Sequence, residues 1–121
     1  MQIRESSRAE RVSVQLVVEL RVDAEVREVD LVNLSLNGAF VEYPWGLLAE
    51  GSRVEISLPM PDGPPMRIAS TVRRAGICQK QVLHPGLDLV VRTTGVGLEF
   101  DELSDPDAQR LQDFLDLAAE R

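Results

Sequence analysis

The fold class of this chain is decided by the stretch Val12-Ser13-Val14-Gln15-Leu16-Val17-Val18-Glu19-Leu20-Arg21-Val22. Apolar residues occupy every second position of this stretch, from Val12 to Val22. Successive side chains of a β-strand point to opposite faces, so an apolar period of two predicts a strand with one face in a core. Such a strand needs neighbours of the same kind, and the rest of the sequence supplies them.

Shorter apolar runs follow, separated by turn-forming residues such as Asp23, Gly38 and Gly51. We predict further strands at 26–34, 39–43, 53–58, 66–75, 87–92 and 96–100, with a less regular stretch from 76 to 86. Beyond residue 103 the apolar residues recur at three and four, and Ser104 has the character of an N-cap, which predicts a helix at 104–120. The chain is therefore predicted to be mostly β, a small antiparallel β-barrel of six to seven strands with a C-terminal α-helix.

Length and charge limit the function classes. With 121 residues we expect one domain, 1–121, with a flexible arm at 1–11 and the barrel at 12–100. The net charge is −7, but residues 99–121 hold eight acids against two arginines, so the remainder is close to neutral. A near-neutral barrel can hold a small anionic ligand but lacks the basic field that a long nucleic acid requires.

The sequence lacks the usual ingredients of an enzyme or a metal site. Cys78 is the only cysteine, which fits a reducing compartment and excludes a disulfide framework. His84 is the only histidine, and it stands before Pro85-Gly86 in a predicted loop, without a partner for acid–base catalysis. No apolar stretch is long enough to span a bilayer, so we expect a cytoplasmic protein that is not an enzyme and is not inserted in a membrane.

Two places concentrate polar groups beyond the needs of the fold. The predicted arm holds Arg4, Arg8 and Arg11 directly before the first strand, and arginine can bind phosphate or stack on a base. The second place is Asn33-Leu34-Ser35-Leu36-Asn37-Gly38, where an amide and a hydroxyl two residues apart could contact a purine edge. Gly38 would let the backbone turn or approach a neighbour closely.

Together these places resemble the signature of the PilZ domain family, a bacterial receptor module for cyclic di-GMP. The family motif is an arginine pair with three residues between, followed by (Asp/Asn)-x-Ser-x-x-Gly, which residues 33–38 match. Arg4 and Arg8 fit the gap, but Arg11 holds the place next to the first strand, so the pair is either Arg4 with Arg8 or Arg8 with Arg11. The segment Gly95-Val96-Gly97-Leu98-Glu99-Phe100, followed by a helix, resembles the end of the domain.

The resemblance implies a PilZ-like split barrel that binds cyclic di-GMP, needs no cofactor, orders its arm on binding and signals to a protein partner. Its implied ligand-binding residues are Arg4, Arg8, Arg11, Asn33, Ser35 and Gly38. The alternative is a degenerate barrel that binds no nucleotide and acts as a protein–protein interaction module. The acidic helix face or the segment 43–48 would then be the docking surface, and an exposed Trp45 would favour this alternative. The oligomeric state and the partner are left open.

Overall fold

The computed structural model describes residues 12–84 and 86–119. Six strands and one helix follow one another in these residues. They are β1 (Val12–Val22), β2 (Glu25–Leu34), β3 (Gly38–Glu42), β4 (Arg53–Leu58), β5 (Met66–His84), β6 (Leu87–Phe100) and α1 (Asp105–Ala119).

The strands form a closed antiparallel barrel in the order β1-β2-β3-β6-β5-β4, confirming the predicted fold class. Strand β1 closes it, because it pairs with β2 on one side and with β4 on the other. Alternate residues point inward and form one core, as the period of two predicted. Its fully buried side chains include Leu20, Leu34, Ile56, Leu58, Ile68, Val41 and Val72.

The predicted limits of β1 to β4 agree with the structure to within one residue, but the prediction for the last third of the barrel is wrong. Residues 76–84, which belong to the stretch predicted as less regular, are part of β5, which runs on to His84 and pairs with β6 along this length. The strands predicted at 87–92 and 96–100 are one strand, so the barrel has six strands, the lower of the two predicted numbers. His84, predicted in a loop, is the last residue of β5.

The pair β5–β6 is longer than the barrel wall. β4 pairs with β5 at residues 66–71, and β3 pairs with β6 at 95–99, with one further hydrogen bond from the Tyr43 amide to the Thr94 carbonyl. Residues 78–84 and 87–93 pair with each other beyond those limits, as a two-stranded ribbon that extends from the barrel. Alternation is a signature of strands with one buried face, so it does not reveal a ribbon of this kind.

Helix α1 begins and packs as its sequence predicts. The Ser104 hydroxyl accepts the amide N–H of Asp107 at 3.3 Å, as an N-cap does. Leu111 and Leu115 are buried against the barrel. Arg110 adds a link to the loop between β4 and β5, where it donates to Asp62 at 3.2 Å and to the Pro64 carbonyl at 3.0 Å.

The predicted arm, with Arg4, Arg8 and Arg11, lies outside the described residues, as does residue 120 of the predicted helix. Within the described part of the chain, no helix is long and apolar enough to cross a membrane.

Candidate functional site

Irregularities in three strands gather in one region of the barrel wall. The register of β1 shifts between Ser13 and Leu16, and that of β2 between Leu31 and Asn33. The register of β5 shifts between Val72 and Arg74, which makes Arg73 the extra residue of a bulge. Bulges redirect side chains and are frequent beside functional sites, so this region of the barrel wall is the candidate site.

The turn between β2 and β3 is built around Ser35. The Ser35 hydroxyl accepts the backbone N–H groups of Asn37 at 3.1 Å and Gly38 at 3.2 Å, while the Ser35 amide donates to the Gly38 carbonyl at 2.9 Å. The residue is 5% exposed. Ser35 thus fixes the shape of the turn from its buried side. The turn is also linked to the end of β6, because the Asn37 carbonyl accepts a hydrogen bond from the Phe100 amide at 2.8 Å.

Position 38 requires glycine because the backbone of β6 approaches it closely, not because its own backbone is left-handed. Its φ is not positive, but a Cβ added there would lie 2.1 Å from the Leu98 carbonyl oxygen of β6. The second of the two roles predicted for this glycine is therefore the one observed. Any larger residue would push β3 away from β6 and open the turn.

Asn33, Ser35 and Gly38 line one surface groove of about 740 Å³. The structure therefore brings the three predicted barrel residues together. A second cavity of about 400 Å³ adjoins this groove and shares Asn33, Phe40 and Arg74 with it. Strand β1, which the predicted arm precedes in the sequence, begins at this place, because Val12 pairs with Leu34 and Ser13 pairs with Asn33.

Two groove arginines, Arg73 and Arg74, were missed by the sequence interpretation. Both are exposed, and the bulge gives them different surroundings. The Nε and Nη2 atoms of Arg73 contact Glu99 Oε1, so this charge is compensated. Arg74 packs over Gly97, and no hydrogen bond or ion pair of its guanidinium is found within residues 12–84 and 86–119. The sequence offered one signal, the loss of apolar–polar alternation after Val72. This signal predicts a bulge in the strand, but it does not predict which residues surround the bulge.

Phe40 and Gly97 of β6 form the apolar floor of the groove, and Gly95 is buried against the Phe40 ring. A Cβ on Gly95 would lie 2.5 Å from the Phe40 ring, and one on Gly97 would lie 3.6 Å from it. The glycines therefore let the ring lie flat against the strand. With the amide of Asn33 and the charge of Arg74 beside this ring, the groove combines the groups that bind a flat heterocycle bearing a phosphate.

A different surface lies at the far end of β3, in the segment 43–48 of the predicted alternative. Trp45 is 46% exposed, and its ring meets that of Tyr43 edge-on with a centroid distance of 5.1 Å. The Cζ atom of Arg27 lies 4.4 Å from the centroid of the Trp45 ring. Leu47 and Val26 are also exposed. We call these residues the Trp45 patch.

Ion pairs stabilise the groove side of the barrel. Arg53 donates to both carboxylate oxygens of Asp101, at 3.0 Å for Oδ1, and to the Thr71 hydroxyl at 2.6 Å. The hydrogen bond from Arg53 holds the pKa of Asp101 below its ordinary value of 3.8. In the sheet, Thr71 lies opposite Glu99 on the neighbouring strand, and Glu99 lies opposite Gly38. This network is therefore directly beside the groove.

Comparison with known proteins identifies the architecture. The chain matches the family model described as PilZ domain over residues 2–117. No curated protein sequence matches it. A structure of the PilZ domain with c-di-GMP of YcgR from Escherichia coli is similar at a TM-score of 0.69 and 20% identity, covering 93% of this chain and 91% of that one.

Two longer proteins are also similar in fold. MrkH, described as a c-di-GMP dependence transcription regulatory factor and also solved in its apo state from K. pneumonia, has a TM-score of 0.72 at 13% identity over 94% of this chain. The Bacillus subtilis inhibitor of motility, MotI/DgrA, has a TM-score of 0.61 at 22% identity over 100% of this chain. The match covers 52% of each of those two chains, so this chain spans about half their length.

Proposed function

The chain belongs to the PilZ domain family, and we propose that it is a receptor for cyclic di-GMP, without catalytic activity of its own. The observation that carries this proposal is the convergence of Asn33, Ser35 and Gly38 on one groove beside Arg74, whose guanidinium has no hydrogen bond or ion pair among the described residues. Cyclic di-GMP carries two phosphodiesters and two guanine rings. A groove that offers cationic, amide and aromatic groups at one place fits both parts of that ligand.

The groove residues take distinct roles in this proposal. Arg74 supplies positive charge to a phosphate or stacks on a guanine, because no carboxylate in the described residues neutralises it. The Asn33 side chain contacts a guanine edge from the groove wall. Ser35 and Gly38 keep the turn in the shape that the ligand needs, the first through its hydrogen bonds and the second through close packing on Leu98.

The arm completes the site. Its arginines, Arg4, Arg8 and Arg11, directly precede Val12, whose partner across the ladder is Leu34, next to Ser35. An arm attached there reaches the groove over a few residues. We expect these arginines to close over the nucleotide, and the arm to become ordered as they do so.

Arm ordering then transmits the ligand state to a protein partner in the cytoplasm of a bacterium. The similarity in fold to MrkH, described as a transcription regulatory factor, and to an inhibitor of motility supports a regulatory role of this general kind. The partner is a separate protein whose identity the groove does not specify. The chain's net charge of −7 disfavours a long nucleic acid, which requires a basic surface. A small anionic ligand requires only a few local arginines.

Isothermal titration calorimetry with cyclic di-GMP tests the proposal. Wild-type protein binds, and Arg8→Ala and Arg74→Ala each weaken binding by about 1–3 kcal/mol, the scale of a lost charge-assisted hydrogen bond. Arg67→Ala is the matched control, because Arg67 is exposed on β5 but does not line the groove. Absence of heat at high micromolar ligand, with the fold intact by circular dichroism, would refute the receptor function.

The Trp45 patch supports a second candidate, the interaction module that ignores nucleotide. A half-exposed tryptophan under an arginine is a typical centre of a protein interface. In this case a partner co-purifies equally with and without cyclic di-GMP, and Trp45→Ala abolishes its capture. Val17→Ala serves as control, because Val17 is exposed on β1 and belongs neither to the Trp45 patch nor to the acidic helix face. Capture that depends on the nucleotide would instead favour the receptor.

A further inference from the structure

The ribbon of β5 and β6 has a free edge of defined extent. On the barrel side, the Tyr43 amide donates to the Thr94 carbonyl, which extends the β3–β6 ladder to residue 94. At the other end, Gly86 lies in the turn with a φ of 80°. Between these limits, no strand in the described part of the chain pairs with the outer side of residues 87–93.

The hydrogen bond from the Tyr43 amide to the Thr94 carbonyl also shows which backbone groups of β6 point toward the free edge. The N–H and C=O of one residue in an antiparallel strand point to the same neighbour, and successive residues alternate between the two neighbours. Because the Thr94 carbonyl points outward and the β5–β6 register has no shift beyond Arg74, the outward residues are Arg92, Val90 and Asp88. Their backbone groups are the ones that a further strand would bind.

The ribbon is poorly suited to remain uncovered. Two-stranded ribbons are marginally stable in water, and a free edge attracts another strand. Ile77, at the base of the ribbon, and Val90, on the same face, are 67% and 63% exposed, and Leu89 on the other face is also exposed. A third strand beside β6 would satisfy the backbone groups and cover Val90.

We propose that this edge pairs with the same edge of a second copy of the chain, antiparallel and about a two-fold axis at Val90. Val90 is the midpoint of the free segment 87–93, so this register uses its whole length. It joins Val90 to Val90 and Asp88 to Arg92 of the other copy, with every outward backbone group paired. The result is a continuous four-stranded ribbon, β5-β6-β6-β5, across the two copies.

The sequence of the edge selects this register over its neighbours. Residues 88, 90 and 92 lie on one face, and the two-fold axis at Val90 puts an aspartate opposite an arginine twice. Leu89 lies opposite Val91 on the other face, so apolar residues meet there. Registers centred on 89 or 91 pair Asp88 or Arg92 with Val90 instead, which leaves the charges without opposite partners.

Charge reversal and charge exchange test the register. Sedimentation equilibrium of the full chain from micromolar to millimolar concentration should show a monomer–dimer equilibrium. Arg92→Asp places aspartates opposite one another and weakens dimerisation at least about tenfold. The double variant Asp88→Arg/Arg92→Asp exchanges the charges and restores it. Arg67→Asp makes the same charge change on an exposed barrel residue and leaves dimerisation unchanged.

Cross-linking locates the axis independently. On a Cys78→Ser background, Val90→Cys should form a disulfide-linked dimer under mild oxidation, because paired Cα atoms lie about 5.5 Å apart, within disulfide reach. Leu89→Cys should cross-link much less, since Leu89 faces Val91 and not itself.

Three outcomes overturn the proposal: a monomer at all concentrations, a dimer that Arg92→Asp does not weaken, or equal cross-linking at positions 89 and 90. A monomer whose amides at 88, 90 and 92 exchange slowly would show that another segment of the same chain covers the edge. None of these outcomes bears on nucleotide binding, which the groove residues determine separately.

Discussion

The two ends of β3 differ sharply although the strand has only five residues. At its start, Gly38 joins a turn held by the Ser35 hydroxyl and opens onto a groove with exposed arginines. Beyond its end, the half-exposed Trp45 lies under Arg27 and packs edge-on against the buried Tyr43. At 3.4 Å per residue, Gly38 and Tyr43 are about 17 Å apart. One short strand thus separates a surface suited to a polar ligand from a surface suited to a protein, so each can be altered alone.

The largest effect is expected at Gly38. In Gly38→Ala the new methyl group would lie 2.1 Å from the Leu98 carbonyl, which is backbone and cannot rotate away. We expect a loss of about 3 kcal/mol in the free energy of unfolding, measured by urea denaturation. Gly76→Ala is the control, since no atom lies within 4 Å of its added Cβ. Equal stability of the two variants would contradict the close-packing role of Gly38.

The next effect is expected at Ser35. Ser35→Ala removes the acceptor of two backbone N–H groups in a largely buried turn, which costs about 1–3 kcal/mol of stability. The chain has one tryptophan, Trp45, so its fluorescence reports on the opposite end of β3. Its native emission should stay unchanged while the urea midpoint falls. A shifted native emission would mean that the two ends are coupled.

The third prediction concerns affinity rather than stability. Glu99 compensates Arg73 inside the groove and repels an approaching phosphate. Glu99→Gln should therefore strengthen cyclic di-GMP binding by about 3- to 10-fold, a modest gain because solvent screens exposed charges. Calorimetry against Glu102→Gln, an exposed acid that does not line the groove, measures the difference. Weaker binding in Glu99→Gln would show that the carboxylate holds Arg73 in the productive position.

The sequence predicted some parts of these two regions and missed others for physical reasons. Hydrophobic alternation located β1 to β4, and the Ser104 cap located α1, because both signals are local. Arg74 was missed because its role depends on lying over Gly97, which is set by the register across two strands. Gly95 and Gly97 lie inside β6, where they admit the Phe40 ring, whereas the sequence predicted a strand that begins only at residue 96. The ligand-binding roles of Asn33, Ser35 and Gly38, and those of the arm arginines, stay predictions.

The smallest effect is expected at Asp101, beside the groove end. Arg53 lowers the pKa of this carboxyl below 3.8, so the folded state favours the charged form. The pair therefore stabilises the fold above pH 3.8, and its contribution is lost as the pH falls through the lowered pKa. Asp101→Asn should have a slightly lower melting temperature than wild type at neutral pH. The two melting temperatures should become equal in acid. The pair is exposed, so the difference is small. Arg53→Gln should remove the same pH dependence, whereas a difference that persists at pH 2 would mean that Asp101 acts through packing and not through charge.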